Sequence, residues 1–452
     1  MFERLKLSDK FCSYERNFSF DTHSFFGPFA TGGPGAARNG NKIGGRPALR
    51  INAYSTYSIV SYHLVSFCIF ASRMKNPFQY GKTAEQDNFI DRQQDRSFLK
   101  QMLYSNQNVI LVSPRRWGKS SLVKQAMREL CNEHDDVKVC YIDAFPINSS
   151  SEFYHVFAKE VLQATASHWQ SIMDSAGKFL KSISPKVSFG PDLGNEFSLS
   201  FDFGNQGESE KEILSLPEKI ASDKGIQLII CIDEFQHLAK LSDYDRLERQ
   251  MRSVWQHQQH TSYCLYGSQR HMMTEIFNST KKPFYRFGQL FPMKKIAKED
   301  WVPYIVRQFT STNKQISVTL AEAIVDTVEG HSWYVQQLSS AVWNFTLSSA
   351  TETDFKKALI WCIDVNSESF RQECDSLSEL QINLLRAIAH NEKHYSSAET
   401  LSKYKLGTSA NVVKNKRLLV KKDLINIVQQ IPEFQDPLFK IWFLENYKHP
   451  SS

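Results

Sequence analysis

The chain has 452 residues, 41% of them hydrophobic and 23% charged, enough for two or three packed cores. Its formal charge is +6, but residues 1–73 hold nine Lys/Arg against four Asp/Glu, leaving 45 against 44 in the rest. The bulk charge is thus no argument for nucleic acid, and eight scattered cysteines without a C-x-x-C pair exclude the spacing of a zinc ribbon and suit buried reduced thiols.

Residues 1–73 are rich in Phe, Ser and Gly and show no sustained helical or strand period. They are predicted to be a disordered or non-native extension, with Met74 as the start of the folded protein. The opening residues are polar and of mixed charge, unlike a signal peptide. The most apolar stretch, Ile59 to Ala71, is too short to span a bilayer. No membrane association and a cytoplasmic location are expected.

A helix is predicted over Gln93–Tyr104. Upstream of it, Phe78, Tyr80 and Phe89 could stack on a nucleotide base or simply pack. Asn108 to Val112 reads as a buried strand, and Leu122, Val123, Ala126, Met127 and Leu130 share one face of a helix. Between them lies Ser113-Pro114-Arg115-Arg116-Trp117-Gly118-Lys119-Ser120-Ser121. Strand, loop with Gly-Lys-Ser, helix is the arrangement of a P-loop, whose backbone N–H groups and helix N-terminus hold a triphosphate. These nine residues are the candidate nucleotide site, for ATP. Lys119 would reach the β- and γ-phosphates, and Ser120 would place its hydroxyl on Mg²⁺. Ser113 stands where the pattern has Gly, so the loop is expected to be less ideal. Arg115 and Arg116 would reach phosphate or an adjacent domain.

Val137 to Ile142 is a second buried strand, ending at Asp143. A long helical region is predicted from Ser151 to about Ile183, then a β-hairpin over about 186–203, then a helix around Lys211–Ser222. Gln227 to Ile232 is an apolar strand ending in Asp233-Glu234, a Walker B element. Asp233 would hold Mg²⁺, and Glu234 would polarise the attacking water as the catalytic base. The next strand, Ser262 to Tyr266, ends at Gly267-Ser268-Gln269, and Ser268 and Gln269 are candidates to contact the γ-phosphate or the water. A further strand is predicted near Gln289 to Phe291. Arg286 before it could supply charge to a nucleotide, in its own or a neighbouring subunit, or be a plain surface arginine. His257 and His260 have helical spacing, but no Cys or carboxylate partner points to a metal. Five strands alternating with helices predict a doubly wound parallel α/β sheet, with an extra strand between the two Walker strands.

From Glu299 to Asn344 the pattern is helical and predicts a small lid, in which His331 either lies near the nucleotide or caps a helix. From Glu379 a helix–helix–helix–wing pattern predicts a winged helix. Its third helix carries Lys414, Lys416, Arg417, Lys421 and Lys422, which could enter DNA or be a solvated face.

Ser-Pro-Arg-Arg-Trp-Gly-Lys-Ser-Ser-Leu (113–122), Cys-Ile-Asp-Glu-Phe-Gln (231–236) and Tyr-Gly-Ser (266–268) resemble the archaeal-type P-loop ATPases, close to the STAND branch of AAA+-like prokaryotic NTPases. Asn76-Pro77-Phe78, Gly330-His331-Ser332-Trp333-Tyr334 and Phe434-Gln435-Asp436-Pro437-Leu438-Phe439 are similar too. The resemblance covers about residues 74–448. Members often carry Gly where Ser113 stands and Pro where Ser332 stands. It implies an ATPase core (74–297), a helical lid (298–375) and a C-terminal winged helix (376–452). The expected function is a nucleotide-driven switch with slow Mg²⁺-dependent hydrolysis and an unidentified protein partner, with oligomerisation open. A DNA-binding ATPase and a non-hydrolysing scaffold are the alternatives.

Overall fold

The computed structural model describes residues 75–83, 89–90, 92–166, 188–191, 197–200, 206–428 and 430–447. The predicted N-terminal extension and the second half of the helical region expected up to Ile183 lie outside them.

Five parallel strands form the central sheet: β1 (Val109–Val112), β2 (Val137–Asp143), β5 (Gln227–Asp233), β6 (Thr261–Gly267) and β7 (Gln289–Pro292). Their order is β2-β5-β6-β1-β7, so β6 lies between β1 and β5 as the sequence predicts. The sheet is α/β and doubly wound. Its strands alternate between two apolar layers, because successive side chains leave opposite faces. Ile110, Val112, Ile230, Ile232 and Leu265 enter one cluster; Val109, Leu111, Ile229, Cys231 and Cys264 enter the other.

The first layer is closed by α3 (Ser150–Ala164), α4 (Gln206–Lys224) and α5 (Tyr244–Trp255). The second is closed by α1 (Gln93–Tyr104) and α2 (Lys119–Glu133), whose Leu122, Val123, Ala126, Met127 and Leu130 face the sheet. The hairpin predicted over 186–203 pairs β3 (Ser188–Pro191) with β4 (Phe197–Ser200) in antiparallel register.

The remainder is helical. α6 (Arg270–Asn278) follows β6; then come α7 (Lys298–Thr310), α8 (Val318–Thr327), α9 (Ser332–Phe345) and the 24-residue α10 (Glu352–Asp375). α11 (Glu379–Ala389), α12 (Ala398–Lys403), α13 (Ser409–Lys421), β8 (Ile425–Val428) and β9 (Ile431–Phe434) make the winged helix, and α14 (Pro437–Asn446) closes it. One apolar cluster runs from Trp301 through Ala358, Cys362 and Phe370 of α10 to Phe443 of α14. The helices after β7 and the winged helix therefore share one apolar core. Phe78 belongs to that core, packed against Tyr304 and Phe309.

Candidate functional site

Strand registry assembles the site. Val112 pairs with Gly267, Ile232 pairs with Leu265, and Asp143 pairs with Asp233. The residues that follow β1, β5 and β6 thus emerge at one edge of the sheet, where ligands bind in open α/β sheets.

The loop from Ser113 to Gly118 links β1 to the N-terminus of α2, where unpaired backbone N–H groups collect. Gly118 has φ 89°, which favours glycine, and an added Cβ there would meet nothing within 4 Å. Arg116 holds the same left-handed region at φ 63°. Ser113, by contrast, is not among the residues with positive φ, and its buried hydroxyl donates to the Pro114 carbonyl at 3.1 Å. The expectation that serine makes the loop less ideal is corrected here: the backbone at 113 asks for no glycine.

Lys119 is 6% exposed, with its ammonium 3.5 Å from the Ser113 carbonyl and 3.4 Å from the Pro114 carbonyl. Burial pulls its pKa down, against the fields of Glu234 and Asp233. The Ser120 hydroxyl donates to Asp233 Oδ2 at 2.6 Å. Burial raises the Asp233 carboxyl, opposed by that hydrogen bond. Ser121 is buried in the first turn of α2.

Glu234 turns away from the strand in a left-handed conformation, φ 50°. Its carboxylate accepts the Ser268 hydroxyl at 2.8 Å, the Ser268 N–H at 3.4 Å and the Gln236 amide. Burial alone would raise its pKa, but these donors and the Lys119 charge outweigh it and hold the carboxyl below the usual glutamate value. Ser268 therefore meets Glu234 rather than empty space, and Gln236, fully buried, does the same. Gly267 makes room for Gln236, since an added Cβ would fall 1.9 Å from its Oε1.

The start of α9 lies against the loop. The Ser332 hydroxyl donates to the Trp117 carbonyl at 3.4 Å, and the Arg116 guanidinium lies 4.7 Å from the Trp333 ring centre. Arg92 donates to the carbonyls of Trp117 and Lys294, at 3.4 and 3.0 Å. His331 caps α9 without a side-chain cap bond, and burial, with Lys295 and Arg116 nearby, lowers its pKa to about 3. Tyr80 is partly exposed beside Trp333, while Phe89 packs against the core.

Arg286 is not brought to this cluster. It precedes β7, near the level of Asn108, at the edge where the strands begin. Exposed and lying over the Tyr285 ring, it cannot serve the loop of its own chain. His257 lies beyond α5, and His260 pairs with Glu218 at 2.8 Å; among the described residues no cluster suits a metal ion. Gln236, Arg92, Tyr334 and Asp436 were not singled out as site residues. Gln236, Tyr334 and Asp436 lie in stretches that carry the family resemblance, the one signal available for them.

Residues 83–282 match a family model described as a predicted AAA-ATPase, and residues 368–445 match a probable winged helix domain. The chain joins a predicted AAA-ATPase domain to a C-terminal winged helix. Its ATPase domain and winged helix together are similar to the Walker-type ATPase Paby2304 of Pyrococcus abyssi, at 17% identity and TM-score 0.58, over 81% of this chain and 99% of that one. The ORC2 protein of Aeropyrum pernix, solved as ADPNP-ADP complexes, aligns at 13% identity and TM-score 0.47 over 82% of this chain and 99% of its own. The ORC1 protein of the same organism, solved in complex with DNA, aligns at 13% and 0.42 over 80% and 94%. No curated protein matches the chain.

Proposed function

We propose that the protein binds ATP with Mg²⁺, hydrolyses it slowly, and uses the nucleotide to shift lid and winged helix against the ATPase core. The observation that carries this reading is the convergence, at one sheet edge, of the buried Lys119 ammonium, the Ser120–Asp233 pair at 2.6 Å and the Glu234 carboxylate. The chain fits such a ligand: open space lies beside Gly118, and the loop leads into a helix N-terminus. The Ser113–Ser121 segment would hold the phosphates, with Lys119 neutralising charge, and Ser120 and Asp233 would hold the metal. Mg²⁺, when bound, supplies Lewis-acid stabilisation of the phosphate oxygens. Glu234 would orient a water and accept its proton at a carboxylate oxygen.

The domain reading is core 74–297, lid 298–375 and winged helix 376–452. Arg286, exposed at the far edge, would act only on the nucleotide of a second copy. No helix among the described residues is long and apolar enough to cross a membrane, and a cytoplasmic switch with a protein partner is the setting proposed. Steady-state phosphate release from wild type and Glu234→Gln tests the hydrolytic assignment: the variant should be nearly silent, and equal release from both would remove it. A protein whose melting temperature rises with ATP but which releases no phosphate would be a nucleotide-bound scaffold instead.

A second reading, DNA binding, has one observation in its favour. Lys414, Arg417 and Lys421 are exposed along α13. Lys416 instead lies over the Tyr395 ring at 4.8 Å, and Lys422 donates to Ser376 at 3.1 Å. Salt-dependent DNA binding weakened by charge reversal at Lys414 and Arg417 would support it; salt-independent binding, or none, would remove it.

A further inference from the structure

One peptide of the phosphate-binding loop is held from two sides. The Trp117 carbonyl accepts the hydroxyl of Ser332, the first residue of α9, at 3.4 Å. It also accepts the guanidinium of Arg92, the residue before α1, at 3.4 Å. Arg92 is itself fixed: its side chain is 5% exposed, and it donates to Asp95 at 2.9 Å and to the Lys294 carbonyl at 3.0 Å. Ser332 is carried by a helix whose Trp333 ring lies against Arg116 of the same loop.

A trans peptide sets its C=O and N–H on opposite sides, and the described peptide bonds are all trans. With the Trp117 carbonyl turned to Ser332 and Arg92, the N–H of Gly118 points away from both. That N–H needs such a hold. Gly118 has φ 89° and no side chain, so sterics alone leave the peptide before it free to turn. In the proposed site, backbone N–H groups of this loop cradle the α- and β-phosphates. Turned the other way, the peptide would offer the anion a carbonyl oxygen instead.

We infer that Ser332 is a positioning residue of the nucleotide site: with Arg92 it turns the Gly118 N–H to the phosphates, and so ties nucleotide affinity to the docking of α9. The inference rests on the proposed nucleotide site. The two donors stand on different elements, so movement of α9 away from the loop removes one and leaves the other. By linkage, bound nucleotide holds α9 against the loop by the same factor.

The test titrates ADP with Mg²⁺ into the full chain by calorimetry. Ser332→Ala should weaken ADP by about fivefold, as loss of one ordinary hydrogen bond does. Ser332→Thr keeps a hydroxyl at the same place and should stay within about twofold of wild type. Ser332→Pro is a second variant without the hydroxyl. Proline is tolerated at the first helical position, and His331 before it is already extended at φ −68°, ψ 112°. This variant should bind ADP as Ser332→Ala does, with α9 still folded. Wild-type affinity in Ser332→Ala and Ser332→Pro, or an equal loss in Ser332→Thr, overturns the inference alone, whatever thermal unfolding of the same proteins reads. Failure of wild type to bind ADP removes the nucleotide site, and the inference with it.

Discussion

His331 opens α9, one residue before Ser332 reaches the phosphate-binding loop, and it is 5% exposed with no partner for Nδ1. Burial lowers its pKa from 6.5 to about 3, with Lys295 and Arg116 adding to the shift. A base whose folded pKa is depressed is bound by more protons in the unfolded chain between those two values. Stability is therefore lost as pH falls from 6.5 towards 3. Between pH 7.5 and 5.0 the loss amounts to about 2 kcal/mol, since each unit of pH below the unfolded pKa contributes about 1.4 kcal/mol. His331→Leu keeps an apolar body beside the Tyr334 ring, 4.9 Å away, and removes the titration. Urea unfolding of both proteins at the two pH values isolates the term, because every other group is shared. Wild type should lose about 2 kcal/mol more than the variant on acidification. Equal losses would refute the claim that His331 is buried as the neutral imidazole between lid and loop.

Other residues yield sharper statements about Glu234. Gln236→Met keeps the volume but removes one donor to the carboxylate; the acid limb of phosphate release should move up by about one pH unit, as a charged hydrogen bond of about 1.5 kcal/mol requires. An unmoved limb would mean that Gln236 does not set Glu234. Gly267→Ala forces a methyl against Gln236 and Met273 Sδ, 1.9 and 2.9 Å away, and should cost about 1–3 kcal/mol of stability in thermal unfolding. The same substitution should shift the acid limb in the direction that Gln236→Met does, because it displaces the same amide.

Much of this architecture was legible because it is written locally. α1 falls on the predicted Gln93–Tyr104, and the Walker strands, the intervening strand and the hairpin follow from apolar runs bounded by turn residues. That Lys119, Ser120, Asp233 and Glu234 lie together at one sheet edge was legible, because strand ends followed by a helix start bring those positions to the same side. What could not be read was tertiary. The bond from the Ser268 hydroxyl to Glu234 crosses the adjacent strands β5 and β6 and has no local signal. Arg286 lies three residues before β7, and only strand direction reveals that it sits at the opposite edge from the loop. The pairing of Asp436 with Tyr334 joins residues 102 apart, a separation that no periodicity records. α14 begins at Pro437, and the preceding resemblance to a motif gave no sign that Asp436 caps it.

The central claim is that the loop before Lys119 cups a triphosphate opposite the Asp233–Glu234 carboxylates. Calorimetric titration of Mg²⁺ and ATP into wild type and Lys119→Ala tests it most directly. One nucleotide per chain should bind, and loss of the ammonium should weaken it by about tenfold or more, as expected for a charge-assisted contact to phosphate. Equal affinity in the two proteins would contradict the account.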